Sequence, residues 1–315
     1  MLVENLFFFA IAGFFLVISG IYLVKSLSKI STFLGISEFN AAFIIMAFAT
    51  SIPELLVGIS SAIQGVPEIS LGNILGANIL DMTLLVGILV ILNKGIKTAP
   101  KKIDKEVYFT LASIVLLLVL YLIGNSLSRI DGAILLALFV WHNYLLIKKR
   151  KKHKRKLQPK KEEKRKIEYL LLFIISLLVL FVSSQFVVQF ANAIATDLNL
   201  SEIFIGLFLV SIATTLPELI FGINAVLLKH PQMSIGDQAG TVFTNTCLIL
   251  GIASIISPIK TSLSIFLTSG IFLLISALTF VYFIKSGKKL EIKEGIFLIV
   301  LYLIFVGVQL TFGII

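Results

Sequence analysis

A short polar motif occurs twice in this chain, each time inside a long apolar run. The first copy is Ala49-Thr50-Ser51-Ile52-Pro53-Glu54, and the second, Ala213-Thr214-Thr215-Leu216-Pro217-Glu218, follows it at a shift of 164 residues. The same shift, without any insertion, relates several glycines: Gly58 to Gly222, Gly72 to Gly236, Gly76 to Gly240 and Gly87 to Gly251. A fixed shift of this kind predicts two copies of one structural unit.

The apolar runs are long enough to cross a lipid bilayer. The chain has 315 residues, of which 58% are hydrophobic and 14% are charged, whereas a soluble domain carries about 25% charged residues. Because about 20 apolar residues span a bilayer as a helix, the sequence predicts ten spans in a polytopic all-α membrane protein. Their approximate bounds are 6–26, 39–63, 70–93, 106–124, 130–147, 168–190, 203–228, 233–256, 262–284 and 292–313.

Five spans per repeat is an odd number, so the second repeat must enter the membrane in the opposite sense to the first. We therefore predict two inverted five-helix repeats, 1–147 and 168–315, joined by a basic linker at 148–167. Inverted repeats with polar interruptions at matching places are typical of secondary transporters, whose binding site lies between the repeats.

The net charge of +10 is concentrated in the linker. Residues 148–166 hold 13 of the 27 basic residues and two of the 17 acidic ones, so the excess does not indicate a nucleic-acid surface. The positive-inside rule places this segment in the cytoplasm and both termini outside the cell. We expect a solvated or partly disordered connection that can contact anionic lipid. The N-terminal run lacks a basic region and a cleavage site, so it is expected to be a retained span.

The repeated motif places oxygen ligands at the bilayer midplane. Thr50 and Ser51 lie four and three residues before Glu54, so these side chains share one helix face. Pro53 removes a backbone donor and frees a carbonyl, which at this depth must meet protein, water or an ion. The second copy repeats the pattern with Thr214, Thr215 and Glu218, while Asp81 and Asn245 fall at the same level on the following spans. The carbonyls of Ala47 and Ser211, one turn earlier, can point at the same place.

Three carboxylates at mid-membrane, Glu54, Asp81 and Glu218, need compensation. Each costs about 2.5–3.5 kcal/mol at a helix centre on insertion scales, and spans two, three, seven and eight contain no Lys or Arg to pair with them. A cation from solution is the simplest compensation. The donors are all oxygens, which suit Ca²⁺ and Na⁺ better than softer transition metals. The alternative for the hydroxyls is a structural role, bonding to the preceding helical turn.

Cys247 and the histidines indicate no further site. Cys247 is expected to be a small buried side chain, and His142, His153 and His230 to be interfacial or loop residues. Asp237 lies one turn inside the cytoplasmic end of span eight, where it can reach the interface, so a structural role and a role in the ion path both remain open. No cofactor is expected, and a single chain is expected to be functional as a monomer.

The two Thr-Ser/Thr-x-Pro-Glu motifs and the two Gly-x-x-x-Gly motifs, in this order and at this spacing, resemble the calcium/cation antiporter superfamily, in particular the prokaryotic-type sodium/calcium exchangers. The resemblance implies ten helices, a central group of ion sites on spans two, three, seven and eight, and tilted spans one and six that slide to alternate access. It also implies that Na⁺ entry drives Ca²⁺ out electrogenically.

Carried over by position, the resemblance assigns roles to single residues. Glu54 and Glu218 would bind Ca²⁺ directly, and Thr50 and Thr214 would help. The flanking Na⁺ sites would be completed by Ser51, Thr215 and Thr241 with the carbonyls of Ala47 and Ser211, while Asp81 and Asn245 would line the middle.

The chain departs from the family pattern at several positions. Ala77 stands where a serine hydroxyl is expected, Asp81 and Asn245 reverse the arrangement found in some relatives, and Asp237 replaces a common asparagine. These changes leave open a proton-coupled or potassium-dependent exchanger. From other classes, a non-transporting receptor or scaffold and a membrane hydrolase are disfavoured by the paired mid-membrane glutamates and by the lack of a catalytic group.

Overall fold

The computed structural model describes residues 2–97, 100–149, 161–197, 211–261, 263–286 and 289–311, and these are helical apart from short connections and one pair of strands. The strands are β1 (Ile96–Lys97) and β2 (Lys289–Leu290). The helices are α1 (Leu2–Leu34), α2 (Glu38–Thr50), α3 (Ile52–Ile63), α4 (Glu68–Leu92), α5 (Pro100–Gly124), α6 (Arg129–Lys149), α7 (Lys161–Asp197), α8 (Ser211–Leu227), α9 (Pro231–Ile256), α10 (Leu263–Ser286) and α11 (Ile292–Thr311).

Among the described residues, seven helices are long and apolar enough to cross a membrane, and α2 with α3 makes an eighth if this bent pair is a single span. The protein is therefore a multi-pass membrane protein. Helix α6 is not among the seven. The predicted seventh span, 203–228, lies partly outside the described residues. Ten spans thus remain a prediction.

Helices α1 and α7 form a long antiparallel pair. Asn5 donates to Asp197 at 2.9 Å at one end, Phe8 stacks on Phe190 nearby, and the Phe33 and Tyr169 rings meet at the other end. Both helices extend beyond their predicted spans. Helix α1 continues until Gly35, whose positive φ of 66° closes the C-terminus with the paired backbone bonds of a Schellman motif.

The helices on either side of the basic segment continue into it. Helix α6 extends to Lys149 and α7 begins at Lys161, so both helices overlap the predicted linker at 148–167. Lysine and arginine are good helix formers, which allows the neighbouring helices to continue into the charged run. Residues 150–160, and with them His153, lie outside the described residues.

The predicted second span, 39–63, is bent at the first motif. Helices α2 and α3 are bent by 44° where they meet at Ser51, two residues before Pro53, because the proline ring cannot continue the helical ladder. Helix α8 keeps Pro217 inside a continuous helix, so the second motif does not break its helix in the same way.

Helices α4 and α9 form the buried centre. In each, 78% of the residues in the most apolar stretch are buried. Each contains one π-helical turn, Asp81–Leu85 in α4 and Asn245–Ile249 in α9. These turns are related by the 164-residue shift, and π-turns are frequent at functional sites.

Two short pairings join distant connections. Strand β1 pairs antiparallel with β2, with Ile96 opposite Leu290, and Leu127 forms a bridge with Ile259. The two pairings are equivalent under the repeat shift of 164 residues: to within one residue, Ile96 corresponds to Ile259 and Leu290 corresponds to Leu127. The packing is similarly reciprocal: Gly87 of α4 meets Gly295 of α11, and Gly251 of α9 meets Gly132 of α6.

Candidate ion-binding site

Carboxyl groups from both repeats lie together in the protein interior. Glu54 lies in the first turn of α3, Asp81 is the first residue of the π-turn of α4, and Glu218 follows Pro217 in α8; each is at most 3% exposed. The carboxyl group of Glu218 lies close enough to those of Glu54 and Asp81 for the ionised groups to repel one another. The same holds for Glu54 and Asp81. The fold therefore brings together the three acidic residues that the sequence singled out.

These carboxyl groups are largely uncompensated. On the described residues, Glu54 Oε2 and both carboxyl oxygens of Asp81 and Glu218 find no hydrogen-bond partner on another residue, and α3, α4, α8 and α9 contain no Lys or Arg. An isolated ionised carboxylate costs a large desolvation energy unless it is paired or neutralised. The centre therefore requires positive charge from outside the protein.

The hydroxyls of the first motif differ in their bonding. Thr50 Oγ1 donates to the Met46 carbonyl at 3.1 Å, which is the structural role that the sequence left open, although its lone pairs stay free to bind an ion. Ser51 Oγ is buried and has no hydrogen-bond partner among the described residues. The Ala47 carbonyl already accepts the Ser51 N–H at 3.1 Å, so an ion there would use its second lone pair.

The second repeat supplies Thr215 and Thr241, which are both buried. Thr241 Oγ1 has no hydrogen-bond partner within the described ranges. Ser211 and Thr214 belong to the first turn of α8, but their side chains lie outside the described part, so their roles remain predictions.

An amide chain at the centre was not foreseen from the sequence. Asn245 Nδ2 donates to Asn78 Oδ1 at 3.1 Å, and Asn78 Nδ2 donates to Thr246 Oγ1 at 3.1 Å. This fixes the Asn245 amide, whose Oδ1 accepts no hydrogen bond from the described residues and is free to bind a cation. The sequence did not indicate a role for Asn78, because its equivalent in the second repeat is the apolar Val242.

Asp237, for which the sequence left two roles open, is buried within the protein. Its side chain has 0% exposure, it lies within electrostatic range of Asp81 and Glu218, and neither carboxyl oxygen has a hydrogen-bond partner among the described residues. The reason is the close approach of α2: a Cβ at Gly236 or Gly240 would overlap the backbone of Phe39 or Phe43. The glycine pair therefore lets α2 cover the first turns of α9.

The histidine expectation holds for one residue and fails for another. His142 is 2% exposed and packs among the rings of Phe43, Phe109 and Phe243, so it is a core residue. His230, in the turn before α9, contacts Glu38 at 2.9 Å. Cys247 is fully buried, as expected.

The donor set favours a hard cation held by mixed oxygens. Within the described residues, no three His, Cys, Asp or Glu side chains converge closely enough to hold a metal ion. A cation at the centre would therefore combine one or two carboxylates with hydroxyl, amide and backbone oxygens, the ligands that Ca²⁺ and Na⁺ accept. Fold and site together define a multi-pass helical membrane protein with a buried, acidic, oxygen-lined core.

Comparison with known proteins identifies the family. The family described as "Sodium/calcium exchanger protein" matches residues 4–148 and 168–311, and the second range begins 164 residues after the first. The chain belongs to this family. Its members are exchangers, so the protein is a transporter and not an enzyme.

Individual relatives agree with this assignment. The "Putative antiporter CaxA" of Alkalimonas amylolytica is 32% identical over 79% of this chain and 80% of its own length. The sodium/calcium exchanger MaX1 of Methanosarcina acetivorans is 26% identical over 98% and 99% of the two chains. A solved structure of the sodium-calcium exchanger NCX_Mj, soaked without Na⁺ and Ca²⁺, superposes with a TM-score of 0.82 at 25% identity, over 98% of this chain and 100% of that one.

Proposed function

We propose that the protein is an antiporter that exchanges Na⁺ for Ca²⁺ across the cell membrane by alternating access. The observation that carries this proposal is the buried pair of glutamates, Glu54 from the first repeat and Glu218 from the second, within electrostatic range of each other and without a basic residue on the four central helices. Two carboxylates match the charge of one Ca²⁺, and Na⁺ ions bound to the same oxygens would exclude it. Such competition couples the two fluxes.

The ion site would lie at the bilayer midplane between inverted repeats. The reciprocal pairings support this arrangement: Ile96 with Leu290 and Leu127 with Ile259 are equivalent under the repeat shift, yet the predicted topology places them on opposite sides of the membrane. An inverted pseudo-twofold axis has this effect. The matched π-turns at Asp81 and Asn245 then become two halves of one site.

The predicted sidedness is internally consistent. The contact of Asn5 with Asp197 joins two segments assigned to the outside, and that of Glu38 with His230 joins two assigned to the cytoplasm. We propose that both termini are extracellular and that residues 148–167 are cytoplasmic, where they can contact anionic lipid. We also propose that the chain is functional as a monomer and without a cofactor.

The proposed remaining ligands are Thr50, Thr214, Ser51, Thr215, Thr241, the carbonyls of Ala47 and Ser211, and the middle pair Asp81 and Asn245. The burial of those ligands whose side chains the structure describes suits the exchange of dehydrated ions, because hydroxyl, amide and carbonyl oxygens replace the water shell. The antiparallel pair α1 and α7 packs outside this centre and provides the moving element, as the family resemblance implies.

The test is uptake of ⁴⁵Ca²⁺ into proteoliposomes under separate ion gradients. Vesicles loaded with Na⁺ and diluted into choline medium should accumulate ⁴⁵Ca²⁺, and dissipating the Na⁺ gradient with an ionophore should abolish uptake. Uptake driven equally by a pH gradient alone would replace the proposal with proton coupling. A requirement for K⁺ in addition to Na⁺ would indicate the potassium-dependent alternative. Protein-free vesicles report the leak.

A further inference from the structure

Helix α9 carries a row of buried oxygen atoms that extends beyond the proposed site. Ser234, Asp237, Thr241 and Asn245 follow one another at intervals of three and four residues, so they share one helix face. Each is at most 2% exposed, and each presents an oxygen without a hydrogen-bond partner in the described parts of the chain. At 1.5 Å per residue, the row covers about 16 Å of helix.

Only the inner part of this row belongs to the proposed exchange site. Thr241 and Asn245 lie at the level of the central carboxylates, whereas Asp237 lies two turns before Asn245, about 12 Å along the axis at 1.5 Å per residue. Asp237 therefore has its own neighbours on the row, the hydroxyls of Ser234 one turn before it and of Thr241 one turn after it.

The first repeat does not reproduce this arrangement. The residues equivalent to Ser234, Asp237 and Thr241 are Ser70, Asn73 and Ala77, so the carboxylate is replaced by a neutral amide and one hydroxyl is missing. Asn73 is also partly exposed. The acidic centre around Asp237 is thus particular to the second repeat, and the chain contains its own neutral counterpart.

The surroundings of Asp237 offer oxygen atoms and no basic side chain on the central helices. The α2 backbone at Phe39 and Phe43 covers Gly236 and Gly240, and from α5 the Thr110 hydroxyl donates to the Ala239 carbonyl at 3.0 Å. The charged residue that α5 buries one turn before Thr110 is another acid, Glu106. The Asp237 carboxylate therefore needs one positive charge in addition to those held at the central site.

We infer that Asp237, with the Ser234 hydroxyl and the Thr241 hydroxyl that it shares with the proposed exchange site, forms a second cation site that binds one alkali-metal ion on the predicted cytoplasmic side of the central site. One carboxylate and neutral oxygens match the charge and hardness of Na⁺ or K⁺. The site lies between the central carboxylates and the predicted cytoplasmic end of α9, so its ion is placed to exchange with that compartment.

The experiment measures ion binding with the central site disabled. In detergent-purified protein carrying Glu54→Gln, Asp81→Asn and Glu218→Gln, equilibrium binding of ²²Na⁺ and of ⁸⁶Rb⁺, a tracer for K⁺, should reveal a single saturable alkali ion per chain. Adding Asp237→Asn, which installs the first-repeat residue, should remove it. The two tracers distinguish Na⁺ from K⁺. Adding Asp131→Asn, the same change at a helix start outside the core, should leave binding intact.

Absence of alkali-ion binding in the triply substituted protein, or binding that survives Asp237→Asn, would overturn the inference and leave a proton as the neutralising charge. Should Asp237→Asn prevent folding, Ser234→Ala provides a second test, because it removes one neutral ligand and should weaken binding several-fold; unchanged affinity contradicts the site. The assay measures ion binding and does not depend on transport. A failure of Na⁺/Ca²⁺ exchange can therefore be distinguished from a failure of this site.

Discussion

Substitution of Gly240 by alanine tests the close approach of α2 to α9. A Cβ at this position would lie 2.7 Å from Phe43 Cα and 2.8 Å from Ala47 Cβ, whereas carbon atoms pack best at about 3.5–4.0 Å. The two helices would have to separate by about 1 Å, and overpacking of this kind costs about 1–3 kcal/mol. Because Ala47 lies one turn before Thr50, separation also displaces the first motif, so we expect exchange to fall together with stability.

The matched control is Gly13→Ala in α1, where no described atom lies within 4 Å of the new methyl group. There the substitution should be neutral or stabilise the helix by about 0.5–1 kcal/mol. Thermal unfolding of both variants in detergent, followed by ⁴⁵Ca²⁺ uptake, isolates the effect of overlap. If Gly240→Ala were as stable and as active as Gly13→Ala, the close helix contact and the burial of Asp237 that depends on it would be refuted.

Three further substitutions test separate parts of the structure. Tyr121→Phe should lower the melting temperature, because the hydroxyl donates to the Thr261 carbonyl and accepts its N–H and unpaired buried groups cost about 1–3 kcal/mol; Tyr22→Phe, on an exposed ring, is the control, and equal melting temperatures would contradict the contact. Ala77→Ser restores a hydroxyl beside the proposed site and should lower the Na⁺ concentration for half-maximal ⁴⁵Ca²⁺ uptake; an unchanged value would remove this face of α4 from the Na⁺ site. Cysteines at Lys94 and Lys260 should react with impermeant maleimide from opposite sides of the membrane, against a silent background because Cys247 is buried; labelling from one side only would refute the topology.

The duplicated motif was sufficient to predict the acidic centre. A carboxylate in an apolar run has few physical solutions, and two of them at repeat spacing predict that the carboxylates lie together, as Glu54 and Glu218 do. The bend at Ser51 was less predictable, because Pro217, the equivalent of Pro53, lies inside a continuous helix. The ends of the helices were also less predictable. Hydropathy locates the part of a helix that lies in the membrane core, whereas α1 and α7 extend beyond their predicted spans. Helix α1 ends only at Gly35, whose positive φ terminates it.

Features that depend on packing were not predictable in the same way. A π-turn inserts one residue into a helix without changing its composition, so the turns at Asp81 and Asn245 leave no trace in the hydropathy pattern. The position of Asp237 along its own helix, one turn inside the predicted end of the span, allows its side chain to reach the membrane interface. Its burial results from the α2 backbone, which lies over Gly236 and Gly240. His142 was misplaced for the same reason, since the phenylalanines around it come from three other helices.

Competition between Ca²⁺ and Na⁺ for one site made by both repeats is the central claim, and equilibrium ⁴⁵Ca²⁺ binding to the purified protein tests it most directly. Wild-type protein should bind ⁴⁵Ca²⁺ saturably, and Na⁺ should displace it. Glu54→Gln and Glu218→Gln should each abolish binding, because each removes one of the two charges that hold the ion, whereas Glu68→Gln, on an exposed residue at the start of α4, should bind as the wild type does. Ca²⁺ binding that is indifferent to Na⁺, or that survives the loss of either buried glutamate, would contradict the account.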